Sequence, residues 1–166
     1  GRLTFVNAVT AAQTQDDNLD SPNDVLVSPD GQHVYLLSRR GRGVLAYDRD
    51  NTTGDLTLIQ TVLNGENGDE RIIQPQAMIL SPDGQHLYVV NSNTDSVTVL
   101  SRNNTGELAF VELVQQAING IDGLDGPSDV AVSPDGTQVF VVSVFGDSMA
   151  VFDRNPATGQ LTQTQV

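Results

Sequence analysis

The sequence contains no cysteine, no lysine and no tryptophan. Without cysteine there is no disulfide, no thiolate metal site and no thiol nucleophile, and either redox compartment is open to the chain. Without lysine, Schiff-base chemistry and a P-loop phosphate clamp are excluded. Every one of the eight basic residues is therefore arginine, set against 21 acidic residues for a formal net charge of −13. Such a field repels phosphate backbones and anionic lipid, so nucleic acid is not expected as a partner. No apolar run approaches the ~20 residues of a membrane-spanning helix. No segment carries a helical hydrophobic period either. No leader is visible, and a start at Gly1 rather than Met reads as a processed or excised piece. The compartment is not fixed by these features; extracellular or periplasmic is the preferred reading.

What the chain has in abundance is repetition. "SPDGQHVY" (Ser28 to Tyr35) returns as "SPDGQHLY" (Ser81 to Tyr88) and as "SPDGTQVF" (Ser133 to Phe140), at steps of 53 and 52 residues. Gly1, Gly54, Gly106 and Gly159 keep nearly the same step. A period near 50 residues marks a solenoid, propeller or array. The single-domain segment divides into repeats 1–53, 54–105 and 106–158, with a closing outer strand at 159–166.

Each period holds four short strand signals bounded by turn residues, as in "DVLV", "HVYLL", "GVLAY" and "LTLIQTV". Ser-Pro-Asp-Gly is the hairpin device between the first two. Proline presets φ, aspartate bonds its own backbone, and glycine accepts φ > 0. Runs such as Val34 to Leu37 and Val139 to Val142 bury both faces of their sheets. A two-layer sandwich leaves one face of each sheet wet; stacked blades do not. The expected fold is all-β, a β-propeller of four-stranded antiparallel blades, with three blades in this chain. The outer-strand element occurs four times for those three blades.

"LYVVNSNTDSVTVL" (Leu87 to Leu100) resembles the YVTN propeller repeat. "GPSDVAVSPDGTQVFVVS" with "AVFDRNPATGQLT" is similar to repeats of the lactonase-type seven-bladed propellers, which include bacterial 6-phosphogluconolactonase-like proteins. The likeness extends over essentially all 166 residues. It implies a sugar-lactone hydrolase, with ligands bound on the rim formed by the loops between second and third strands and between blades. A lactonase is expected to place acids, arginine and a cation or histidine at that channel mouth. His33 and His86 fall beside the Ser-Pro-Asp-Gly turns on the other rim, so no nucleophile–base pair and no catalytic residue is assigned.

Three groups of candidates lie on the loop rim. Arg39, Arg40 and Arg42 form a basic cluster suited to a carboxylate or phosphate. Asn91, Asn93 and Asp95 occupy the matching loop of the second repeat, and Ser143 and Asp147 that of the third. They suit a sugar or a cation, and are also ordinary turn residues. Asp17, Glu70 and Asp122 share one register of the inter-blade loops, where gathered carboxylates would recruit a divalent cation. The leading functional reading is a non-catalytic propeller scaffold that binds a small molecule or protein. The sugar-lactone hydrolase is the alternative. A lectin-like oligomer is a third, against which 5% aromatic content and the missing tryptophan count. Propellers use about four to eight blades, so three would leave an apolar sheet face open at each end. A head-to-tail homo-oligomer is expected, a six-bladed dimer in preference to a nine-bladed trimer.

Overall fold

The computed structural model describes residues 1–2, 4–5, 8–10, 18–63 and 71–166. Twelve strands follow one another: β1 (Pro22–Val27), β2 (His33–Ser38), β3 (Gly43–Arg49), β4 (Leu56–Leu63), β5 (Pro75–Leu80), β6 (His86–Asn91), β7 (Ser96–Arg102), β8 (Leu108–Gln115), β9 (Pro127–Val132), β10 (Gln138–Ser143), β11 (Ser148–Arg154) and β12 (Leu161–Gln165). They form three four-stranded antiparallel meanders, β1–β4, β5–β8 and β9–β12. The fold is all-β, with three propeller blades. Among the described residues no helix is long and apolar enough to cross a membrane.

The first strands of successive blades lie side by side, β1 by β5 and β5 by β9. The blades therefore fan out from a line of first strands. Each blade takes its outer strand from the segment after its own Thr-Gly step. The extra copy of that element, at the start of the chain, forms no strand among the described residues. Its Val9 packs on Val34, Leu45 and Tyr47 of the first blade instead.

The cores lie between blades. Tyr35, Leu37, Val44 and Ala46 of the first blade meet Met78, Leu87, Val89 and Leu100 of the second. Tyr88, Val90, Val97 and Val99 of the second meet Val139, Val141, Ala150 and Phe152 of the third. Ile72 and Leu124, at one register of the inter-blade loops, plug the two junctions at 1% and 0% exposure. Each such side chain buried contributes about 2 kcal/mol, so the apolar layer outweighs any one polar bond across it.

The polar bonds nevertheless repeat from junction to junction. Ser81 donates to Asp83 and accepts the His86 N–H, holding the turn closed. Gly84 sits at φ +68°, and a Cβ there would lie 3.2 Å from Cδ of Pro29 in the preceding turn. Successive turns thus stack proline on glycine. From the end of the next third strand, an arginine reaches back into this corner. Arg102 donates through Nε to the Tyr35 hydroxyl at 2.7 Å, and through Nη2 to Asp30 at 2.7 Å and His33 Nδ1 at 2.7 Å. Arg154 repeats the set one blade on, to Tyr88, Asp83 and His86 at 2.8, 2.8 and 2.9 Å. The tyrosines pass their own protons to Gly106 and Gly159 carbonyls. Because arginine can only donate, His86 accepts at Nδ1 and is neutral; burial and the adjacent Arg154 charge both lower its pKa.

This clasp sets two expectations. Replacing Arg154, whose side chain is 1% exposed, with Met strands the Tyr88, His86 and Asp83 acceptors. Asp83 keeps 34% exposure, so water recovers part of the loss. The expected cost is about 2 kcal/mol, read as a fall of about 5 °C in melting temperature. The second concerns acid. Burial raises the Asp83 pKa, but bonds from Ser81, the Gln85 N–H and Arg154 outweigh it and hold the carboxyl at about 2, against 3.8 ordinarily. A depressed folded value means stability present above the unfolded pKa and lost as pH falls through the folded one. Melting temperature should therefore drop between about pH 4 and about pH 2, and Asp83→Asn should flatten part of that drop.

Candidate functional site

The loop rim is tied together by backbone bonds. The Arg39, Arg40 and Gly41 N–H groups donate to Ser21 and Asp20 carbonyls, and Val144, Phe145 and Gly146 do the same to Gly126 and Asp125. Each β-hairpin tip on this rim is thereby held against the inter-blade loop that precedes its blade. Arg42, Asp95 and Asp147 share one register of those tips and all take positive φ, at 54°, 49° and 45°. Their common conformation is what the tight turn between second and third strands requires.

Between the first two blades this rim opens into a cleft of about 930 Å³. Arg39, Arg40 and Arg42 line one side, and Gln74, Asn93 and Thr94 the other. All three arginines are exposed. Among the described residues, the ion pairs at the blade junctions belong to Arg102 and Arg154, not to these three. Among the described residues, no Asp, Glu or His lines the cleft. In a chain of formal charge −13 the cleft is a local concentration of positive charge. A second hollow of about 410 Å³ adjoins it, shares Arg39, Gln74 and Asn93, and adds Gln76, Ser92 and Phe145. Gln76 Nε2 donates to Ser92 Oγ at 2.7 Å, which fixes the amide at the hollow's edge. Guanidinium donors beside carboxamides are the groups that take up a carboxylate or phosphate together with sugar hydroxyls.

The structure brings Arg39, Arg40, Arg42 and Asn93 to one cleft and sends the other candidates elsewhere. Asn91 is 0% exposed, and its amide donates to Thr98 Oγ1 at 3.0 Å inside the blade. Ser143 is 4% exposed and donates to the Gly123 carbonyl at 2.8 Å. Both positions end a second strand and point beneath the inter-blade loop, where Ser38 likewise bonds Asn18 and Asp20 carbonyls. Ser143 pins a loop and Asn91 bonds within its own blade, so neither faces a ligand, which corrects the sequence expectation. Asp95 accepts the Gly126 N–H at 2.9 Å, so its carboxylate is engaged in tying the next loop. Asp147 is exposed and lines neither hollow.

Of the proposed cation ligands, Asp17 and Glu70 lie outside the described residues. Asp122 is exposed and accepts from Gln116 Nε2 and the Gly123 N–H, both at 2.8 Å; these bonds lower its pKa. No group of three His, Asp or Glu side chains gathers to hold a metal among the described residues. The residues that sequence reasoning missed are Gln74, Gln76 and Phe145. Gln74 carried a faint signal, preceding proline in "IIQPQ", and it takes φ 47°. Phe145 carried a plainer one, an aromatic in an otherwise polar rim loop, and is 74% exposed.

The family model described as "Lactonase, 7-bladed beta-propeller" matches residues 1–120 and again 74–166. A 6-phosphogluconolactonase of Bacillus subtilis is 29% identical over 85% of this chain and 39% of its own length. One from Photorhabdus laumondii is 34% identical over 72% of this chain and 32% of its own. The solved periplasmic gluconolactonase of Pseudomonas aeruginosa superposes with a TM-score of 0.72 at 28% identity, covering 87% of this chain and 39% of that one. The chain thus spans about two fifths of the length of such relatives. Relatives named as enzymes overturn the expectation of a non-catalytic scaffold, which rested on the lack of a nucleophile–base pair in the sequence. The repeat, the sheets and the sequence match agree: the chain belongs to the lactonase family of seven-bladed β-propellers.

Proposed function

We propose that this chain supplies the anion-binding part of a sugar-lactone hydrolase. The observation that carries the reading is the cleft between the first two blades, where Arg39, Arg40 and Arg42 face Gln74 and Asn93 in a strongly acidic chain. Lactone hydrolysis adds water to the ring carbonyl, passes through an oxyanion and expels the ring oxygen as a hydroxyl, leaving an aldonate. A phosphate on the sugar and the new carboxylate both suit guanidinium groups, and the amides suit the sugar hydroxyls. The backbone that carries Arg39 and Arg40 is held against the preceding loop, so these donors start close to where the substrate would sit. The role given to the three arginines is binding and orientation. The names of the relatives from Bacillus subtilis and Photorhabdus laumondii support a phosphorylated lactone as the substrate. The Pseudomonas aeruginosa relative supports a periplasmic location.

Hydrolysis of 6-phosphogluconolactone and of gluconolactone by the full chain, against the buffer rate, tests the reading. Replacing Arg39 and Arg40 together with Ala should raise KM for the phosphorylated lactone about tenfold and change that for gluconolactone less, the low end expected of charge-assisted bonds in a wet cleft. Equal effects on the two lactones, or hydrolysis no faster than buffer for both, would reject it. Repeating the assay with EDTA and with added calcium or magnesium asks whether Asp17, Glu70 and Asp122 bring a cation into the reaction.

A further inference from the structure

At one register of the hairpin tips on the loop rim, the three blades carry three different chemistries: Arg40, Asn93 and Phe145. The first two are polar, as a wet rim demands. The third is aromatic in a chain with little aromatic content to spare. Tyr35, Tyr47, Tyr88 and Phe152 are core side chains at 1% exposure or less, and Phe110 carries the Arg71 guanidinium on its ring. Phe145 is 74% exposed and forgoes the burial that a phenylalanine ordinarily gains.

The ring is nevertheless held in place. Val144, Phe145 and Gly146 donate their N–H groups to the Gly126 and Asp125 carbonyls, which ties the tip to the loop before its blade. The Phe145 ring lies against Gly126 itself. A Cβ on that residue would stand 2.4 Å from Cδ2 and 2.9 Å from Cγ of the ring. Ser21, Gln74 and Gly126 share the register just before the first-strand proline, and all take positive φ, at 53°, 47° and 65°. Serine and glutamine adopt this conformation in the first two blades, so the backbone alone does not call for glycine in the third. The ring does, because any side chain at 126 would fill the space where it stands.

Phe145 also walls the hollow of about 410 Å³, together with Arg39, Gln74, Ser92 and Asn93 of the first two blades and Val144 and Pro127 of its own. That volume lies within the range of small-molecule sites. Arg39, Gln74 and Asn93 belong to the arginine cleft as well, so an anion held at Arg39 leaves the rest of its molecule within the hollow that the ring walls. A six-membered sugar ring of gluco configuration carries its hydroxyls around the edge and C–H bonds on its faces. An aromatic face, negative at its centre, takes such C–H bonds, while amides and hydroxyls take the edge.

We infer that Phe145 is the platform on which the lactone ring lies, an assignment that rests on the lactone-binding reading of the arginine cleft. The arginines hold the phosphate, Asn93 and Gln74 serve the ring hydroxyls, and Phe145 selects for a closed sugar ring by its face. Gly126 is its positioning residue.

Titration of the full chain with two stable probes tests this. Glucose 6-phosphate carries a six-membered ring that does not hydrolyse, and inorganic phosphate carries the anion alone. Phe145→Leu keeps the bulk and removes the aromatic face; it should weaken glucose 6-phosphate binding about fivefold and leave phosphate affinity unchanged. Phe145→Tyr should bind both probes as the native chain does. Ring protons of glucose 6-phosphate should move upfield on binding the native chain and not on binding Phe145→Leu, a ring-current signature that a purely structural role does not produce. Gly126→Ser should displace the ring and reproduce the Phe145→Leu result. Replacing Arg39 and Arg40 together with Ala should weaken both probes. Equal native affinity for the two probes, or glucose 6-phosphate binding indifferent to Phe145→Leu, would overturn the platform while leaving the arginine cleft standing. Binding of neither probe by the native chain would reject the cleft and the platform with it. The circular dichroism melts of the Phe145 variants should match the native one, since the ring is largely outside the core.

Discussion

A guanidinium at the end of the third strand in the second and third blades (Arg102 and Arg154), gripping a turn, a histidine and a tyrosine of the blade before, is the contact on which this fold depends. Blades are apolar on both faces, so none is stable without a neighbour, and apolar packing alone is non-directional. The layer of valines, leucines and tyrosines supplies the larger share of the energy. The arginine clasp supplies angle and register, because three of its bonds reach different parts of the preceding hairpin while a fourth holds the Gly84 carbonyl of its own blade. A polar cluster of this kind is costly when half satisfied and specifying when complete. That is why it recurs unchanged at both internal junctions.

The clasp also separates rigidity from function. It lies on the rim of the Ser-Pro-Asp-Gly turns, while the arginine-lined cleft opens among the loops at the opposite ends of the strands. Since all the positive charge in the chain is arginine, the same side chain does two jobs set by surroundings alone. Arg102 and Arg154 are enclosed and fully bonded to protein groups, and are tools of assembly. Arg39, Arg40 and Arg42 stand on hairpin tips, exposed to solvent, and are free to meet an anion. Arg71 is engaged differently again, its guanidinium 3.5 Å above the Phe110 ring.

The architecture was legible because it is written in local chemistry. Proline, aspartate and glycine specify the turn where they stand, and a period of about 50 residues specifies blades. The clasp was half legible. "YDRD", "LSRN" and "FDRN" put arginine at one register, but its partners lie 66 to 72 residues away and no local motif joins them. The candidate site divided along the same line. Arg39, Arg40 and Arg42 were visible as a cluster, whereas Asn91 and Ser143 resembled rim residues until the strands were seen to carry them under the loops. Activity was read wrongly because a propeller site is gathered from loops of several blades. No single stretch therefore shows the spacing of a nucleophile and its base.

The division of arginine labour can be observed directly. The Nε–H resonances of the chain, followed by NMR during titration with 6-phosphogluconate, the stable hydrolysis product of the phosphorylated lactone, report on each guanidinium separately. The account predicts saturable shifts for Arg39, Arg40 and Arg42, with Arg102 and Arg154 unmoved and slow to exchange with solvent. Shifts spread evenly over all the arginines, or none at the three rim arginines at millimolar product, would contradict it.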